Sequence, residues 1–165
     1  MTLDLRRLNK GFIEPGFICD VHLGKLARRL RLLGFDTIYR NDLEDDEIVR
    51  IARADDRVIL TRDGEILNNK TARSYRPNSI YSDMQVREVL TALNLRGQIR
   101  PFSRCITCNG EITPVEKESV ITLVPPRSGQ FMQSFWRCQV CGKIYWQGSH
   151  YEKLRKWVDF EVLGI

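Results

Sequence analysis

The chain has 165 residues, 42% hydrophobic and 28% charged, with no low-complexity tract or internal repeat, which excludes a disordered chain, a fibre and a solenoid. No apolar run is long enough to span a bilayer, and the opening MTLDLRRLNKGF lacks the apolar core of a signal peptide, so the expectation is a cytoplasmic chain with reduced thiols and no membrane partner. The formal net charge of +5 points toward a polyanionic partner but decides nothing alone.

Phe17-Ile18-Cys19 opens as a short buried strand. Apolar residues then recur at Leu23, Leu26, Ala27, Leu30 and Leu33, the spacing of one helix face, and Gly34 follows as the stop. Thr37-Ile38-Tyr39 reads as the next strand. A second helix begins at Asp45 or Asp46 as cap and turns Ile48, Val49, Ile51 and Ala52 inward. Val58-Ile59-Leu60 is the third strand, a short helix follows around Glu65 to Asn69, and Ser79-Ile80-Tyr81 reads as a fourth strand. Met84 to Leu95 is an amphipathic helix. Strands alternating with helices predict an α/β domain whose short parallel sheet is flanked by helices.

Composition changes at GQIRPFSR, residues 97–104, which reads as a linker. The division is therefore an α/β domain over 1–100 and a small Cys-bearing, Trp-bearing unit over 101–165. In the second unit, Cys105-Ile106-Thr107-Cys108 and Cys138-Gln139-Val140-Cys141 form two CxxC knuckles, each followed closely by Gly. Four thiolates at this spacing suit a tetrahedral, structural Zn²⁺, and the pairs predict a zinc ribbon with an extended arm over 115–130. A closed four-cysteine site leaves no coordination position for a substrate, so chemistry belongs elsewhere. Cys19 is a core residue. Ser149-His150-Tyr151-Glu152 reads as a capping box before a helix carrying Leu154, Trp157 and Val158, which places His150 at the surface.

The acids are the remaining signal. Asp20 directly follows the first strand, Asp63 follows the third within three residues, and Asp83 comes two residues after the fourth. In a parallel sheet the carboxyl ends share one edge, where open α/β folds bind ligands. Those three acids, with Asp45 or Asp46, would repel one another unless an oxygen-loving divalent cation such as Mg²⁺ or Mn²⁺ sat among them. Asp is equally at home in turns. Both readings stand on the residues alone.

The segments FICDVHLGKLARRLRLLGFDT, DDEIVRIA and RVILTRD, in that order, resemble the PIN-like ribonuclease family named for the C-terminal RNase domain of the Mut-seven exonuclease. The tail segments RCITCNG and FWRCQVCGKIYWQGSHYEKL are similar to the zinc ribbon that follows that domain. The resemblance implies that Asp20, Asp63 and an acid of the DDE segment, Asp45 or Asp46, form the acidic site of a Mg²⁺- or Mn²⁺-dependent ribonuclease, with Asp83 a weaker match. His22 stands where the pattern has an apolar residue.

On that view RNA, rather than a small molecule, is the partner. Lys25, Arg28, Arg29 and Arg31 on the first helix, with Arg62 beside Asp63, are the expected phosphate contacts. Phe135, Trp136, Tyr145 and Trp146 are candidates for stacking on unpaired bases, although so small a unit needs at least two of them for its own core. Two other functions compete with an endonuclease: RNA binding without cleavage, and an adaptor that uses the zinc ribbon to hold a protein.

Overall fold

Three apolar residues are enough for a strand when both of its faces are covered. In the computed structural model, which describes residues 15–165, strands β1 (Phe17–Cys19) and β3 (Val58–Leu60) are buried along their whole length. Alternation sends Phe17, Cys19, Val58 and Leu60 into one core and Ile18 and Ile59 into another. That is the pattern a parallel sheet demands, since helices pack on both sides. The stretch MTLDLRRLNKGF and the first 14 residues of the expected first unit lie outside the described residues.

The sheet has the order β2-β1-β3-β4, all parallel, with β2 at Thr37–Ile38 and β4 at Arg73–Tyr75. Helices α1 (Gly24–Leu32) and α4 (Ser82–Ala92) cover one face, and α2 (Asp45–Ala54) with α3 (Gly64–Asn68) cover the other. Helix α1 ends as its glycine predicts. Gly34 has φ +96°, donates to the Arg31 carbonyl at 3.0 Å, and leaves no room for a Cβ against the carbonyl of Arg100.

The fourth strand is not Ser79-Ile80-Tyr81. Ile80 and Tyr81 are each 69% exposed, and the Glu88 carboxylate accepts the N–H groups of Asn78 and Ser79, making this segment the entry to α4. The true β4 is an edge strand with a half-buried sequence, Arg-Ser-Tyr, so it lacks the apolar run that marks its neighbours. Nor does residue 45 or 46 cap α2. Glu44 takes that position and both aspartates lie in the first turn, where their charge suits the helix dipole.

Residues 97–104 are pinned rather than loose. The N–H groups of Arg100 and Phe102 donate to the carbonyls of Leu33 and Leu32 at 2.9 and 2.8 Å. Beyond them lies an antiparallel sheet of β5 (Ile112–Val115), β6 (Phe135–Cys138) and β7 (Ile144–Trp146). The expected extended arm is folded: short turns and helix α5 (Pro126–Phe131) bring Val120 and Val124 onto Phe135, giving the ribbon a core of its own. Helix α6 (Ser149–Lys156) continues as a wider π-helical segment, Trp157–Leu163. Its N-cap is Gly148, without a side-chain cap bond, so Ser149 does not close a capping box. Val158 and Val162 on that segment enter the same core as β1, α1 and α4. Among the described residues, no helix is long and apolar enough to cross a membrane.

Candidate functional site

The strand order places a switch point between β1 and β3, because the chain leaves β1 toward β2 and crosses back to reach β3. Ligands bind at such a point, outside the carboxyl ends of the strands. Asp20 and Asp63 stand there. Asp20 is only 3% exposed and its carboxylate is fully engaged. One oxygen accepts the His22 N–H at 2.7 Å. The other accepts the Thr61 hydroxyl and the Arg62 N–H, the latter at 3.2 Å. Its own N–H extends the ladder to Leu60 O at 3.0 Å, so the backbone beneath it is fixed.

Asp63 is exposed and caps α3, accepting from the N–H groups of Glu65 and Ile66 at 2.7 and 3.4 Å. Thr61 joins the two acids. Its hydroxyl donates to Asp20 and accepts the Asp63 N–H at 2.9 Å, and the residue is wholly buried. Sequence reading passed over Thr61; the available signal was a polar residue set between a buried strand and an acid.

Asp45, in the first turn of α2, lies within reach of the charges of these two acids. Burial, then the charges of Asp63 and Asp20, then those of Glu65 and Glu44, raise its carboxyl above the ordinary aspartate value. The groups acting on it show that Asp45 shares a field with the strand-end pair, and they bring in Glu65, a further acid missed in the sequence. Asp45 and Asp46 are both exposed on that turn. Asp83 is not at a strand end: it lies in the first turn of α4, where it pairs with Arg29 at 3.2 Å. Oxygen donors of this kind suit a hard divalent cation, but among the described residues the four cysteines are the group whose ligand atoms converge on one point.

The basic residues divide. Lys25 and Arg28 are exposed on α1, and Arg62 is half-buried beside Asp63. Arg29 lies 4.0 Å over the Trp157 ring while it pairs with Asp83, which makes it a joint between α1, α4 and the C-terminal helix. Arg31, expected among the phosphate contacts, points inward and is 4% exposed. Its guanidinium donates to the carbonyls of Thr37 (2.8 Å), Thr107 (2.9 Å) and Ile106 (3.3 Å). A helix-face pattern cannot distinguish a solvated arginine from one that fills a carbonyl cluster.

The four knuckle cysteines converge, their sulfurs all within 4.8 Å of one another. Two pairs stand at 3.7 Å (Cys105–Cys141) and 3.3 Å (Cys108–Cys138), close to the ~3.8 Å edge of a tetrahedron built on ~2.3 Å metal–sulfur bonds. The knuckles are alike in backbone. Asn109 and Gly142, each with φ +73°, donate to the carbonyls of Cys105 and Cys138 at 2.8 and 3.0 Å. Gly110 serves space rather than φ, since a Cβ there would come within 2.9 Å of the Cys138 sulfur.

Burial alone would raise the Cys105 thiol, but hydrogen bonds from Tyr145 and from the backbone of Cys108 and Thr107 bring it down to about 6. Burial and the neighbouring cysteine sulfurs push Cys108 up to about 12. Cys105 gives up its proton readily while Cys108 holds its own, and a bound cation would favour ionising both. This group can hold a metal such as zinc.

The first knuckle is also bound to the α/β domain. Beyond the Arg31 contacts, the Asn109 side chain accepts the Thr37 N–H at 3.0 Å and donates to Asp36 at 2.7 Å. Asp36 in turn holds Arg57 at 2.9 Å. Phe135 is buried in the ribbon core with Trp146 packed on it at 6.5 Å, so neither is a free stacking platform.

This arrangement defines a PIN-like α/β domain fastened to a ribbon whose four cysteines can hold a metal. A family model described as the Mut7-C RNAse domain matches residues 15–158, and the chain belongs to that family. No curated protein matches the chain. No solved structure matches it either.

Proposed function

We propose that this protein is a divalent-cation-dependent ribonuclease that hydrolyses RNA phosphodiesters endonucleolytically at the edge formed by Asp20, Asp45 and Asp63. The observation that carries the reading is the acid pair at the β1/β3 switch point, joined through Thr61, with Asp45 near enough to feel its charge. Membership of a ribonuclease domain family supports it.

Each residue has a separate task. Asp20, locked by three donors, is the rigid reference point of the site. Asp63 presents its carboxylate from the start of α3, and Asp45 from the start of α2. Mg²⁺ or Mn²⁺ held among them would supply Lewis-acid polarisation of the scissile phosphate and a lowered pKa for the attacking water. Lys25, Arg28 and Arg62 are assigned to neighbouring phosphates; Asp46 and Glu65 add to the negative field, and Asp83 positions Arg29. The four cysteines hold a structural Zn²⁺. The reading places the protein in the cytoplasm, where thiols stay reduced.

The test is cleavage of total cellular RNA by the purified protein, with and without Mn²⁺, and with the cut sites mapped. Internal cuts that require Mn²⁺ are expected. Asp20→Asn and Asp63→Asn should each abolish them, and the double variant should lose little more than either single one, since the pair acts as a unit. Full activity in both single variants would end the nuclease reading.

A further inference from the structure

The aromatic residues not used by the ribbon core point to a second site. Between the ribbon and the C-terminal helix runs a groove of about 1070 Å³. Its walls include Phe102, Trp136, Tyr145 and Tyr151, all half-buried, with Phe102 and Tyr151 in contact at 4.6 Å between ring centres. Its basic side chains are Arg104, Arg127, Lys143 and Arg155, and the one carboxylate among the described residues of its lining, Asp159, is already paired with Arg155 at 3.0 Å. Arg104 donates to the carbonyls of Gly34 and Asn109. Arg127 and Lys143 are exposed, and Lys143 lies 5.6 Å from the centre of the Tyr145 ring.

We propose that this groove is a docking track for unpaired RNA, with bases on the aromatic walls and phosphates at Arg127 and Lys143. The proposal rests on the ribonuclease reading and adds the form of the substrate to it. Aromatic faces beside uncompensated cations suit single-stranded nucleic acid, whose bases are free to stack. In a duplex the bases stack on one another and cannot reach the walls. An apolar peptide would fill the groove but leave both cations without a counter-charge.

The groove also sets a length. Leu32, the last residue of α1, lines it, whereas α1 begins at Gly24, four residues after Asp20. Nine helical residues span about 13 Å. A strand seated in the groove must therefore run several nucleotides before it reaches the acidic edge. Unstructured RNA too short to bridge that distance loses the benefit of the track.

The experiment measures fluorescence anisotropy of a labelled, unstructured 16-nucleotide RNA and of a hairpin duplex of equal length, using the full zinc-loaded chain without added divalent cation. The unstructured RNA is expected to bind at least ten-fold more tightly. Arg127→Glu with Lys143→Glu should weaken that binding at least ten-fold and flatten the salt slope by about 1.4, the loss of two single-strand phosphate contacts. Trp136→Leu should weaken binding with the slope retained, because stacking releases no counterions.

In the presence of Mn²⁺, the charge-reversed variant should raise KM for the 16-mer and leave kcat in place. Unchanged RNA affinity in both groove variants overturns the proposal and leaves the groove to a peptide; so does wild-type affinity as high for the duplex. Binding in the groove without any cleavage by the wild type removes the ribonuclease reading and keeps the track.

Discussion

At the position of Thr61 one hydroxyl serves two acids. Being wholly buried, it cannot exchange Asp20 for water if the contact fails. Thr61→Val keeps the shape, removes the donor, and leaves a buried carboxylate oxygen with one partner fewer. A loss of about 1–3 kcal/mol in stability is expected by urea denaturation, the cost of an unsatisfied buried polar group. Thr61→Ser, which restores the hydroxyl, should recover most of both stability and Mn²⁺-dependent cleavage.

Asp45 permits a pH test of its own. Its proton is held more tightly in the folded chain than in the unfolded one. Stability from this group is therefore lost as pH rises from the ordinary value of 3.8 through the raised folded value, and the loss is constant above it. Asp45→Asn should remove that fall in the cation-free protein, seen as the wild-type-minus-variant difference in urea midpoint between pH 3 and pH 7. The same substitution should abolish cleavage, whereas Asp46→Asn should keep it.

Among the elements, those buried on both faces were the legible ones. Phe17–Cys19, Val58–Leu60 and the first two helices stand where periodicity and apolar runs put them, because each faces a core. The edge strand Arg73–Tyr75 was not legible, since its half-exposed residues carry no run, while Ile80 and Tyr81 look like strand yet lie open. The acids at the two central strands were readable from their place after apolar triplets. Arg31 was not, because two of its carbonyl partners lie 75 and 76 residues away, where no local pattern reveals them.

Arg31 is accordingly a structural element in one side chain, tying α1 to β2 and to the first knuckle. Arg31→Met keeps the stem and removes the donors, stranding the carbonyls of Thr37, Ile106 and Thr107. A loss of more than about 2 kcal/mol is expected. RNA affinity of the folded fraction should hold, whereas Lys25→Ala with Arg28→Ala should reduce it.

On the scale of the whole molecule, the two sheets are not independent. The first knuckle meets β2 through Asn109 and Arg31, and the C-terminal helix meets α1 and α4 through Trp157, Val158 and Val162. Cys105→Ser should therefore do more than loosen the ribbon. Loss of bound zinc, measured by elemental analysis, should be accompanied by a lower Tm for the α/β domain, followed by near-ultraviolet circular dichroism. Two separate transitions, with the α/β one unmoved, would show the contacts to be incidental.

The entry of Val158 and Val162 into the core of β1 has a consequence during synthesis. The four strands and α4 are complete at Ala92, but the residues that close one face of their core lie roughly 70 positions further on. At 5–20 residues per second the ribosome needs roughly 3–14 s to deliver them. For that interval the nascent domain shows an uncovered apolar strip along α1 and α4. Asp20, Asp45 and Asp63 are all in the part of the chain made first, yet the core beneath the two strand-end acids stays open on one face until Val158 and Val162 arrive.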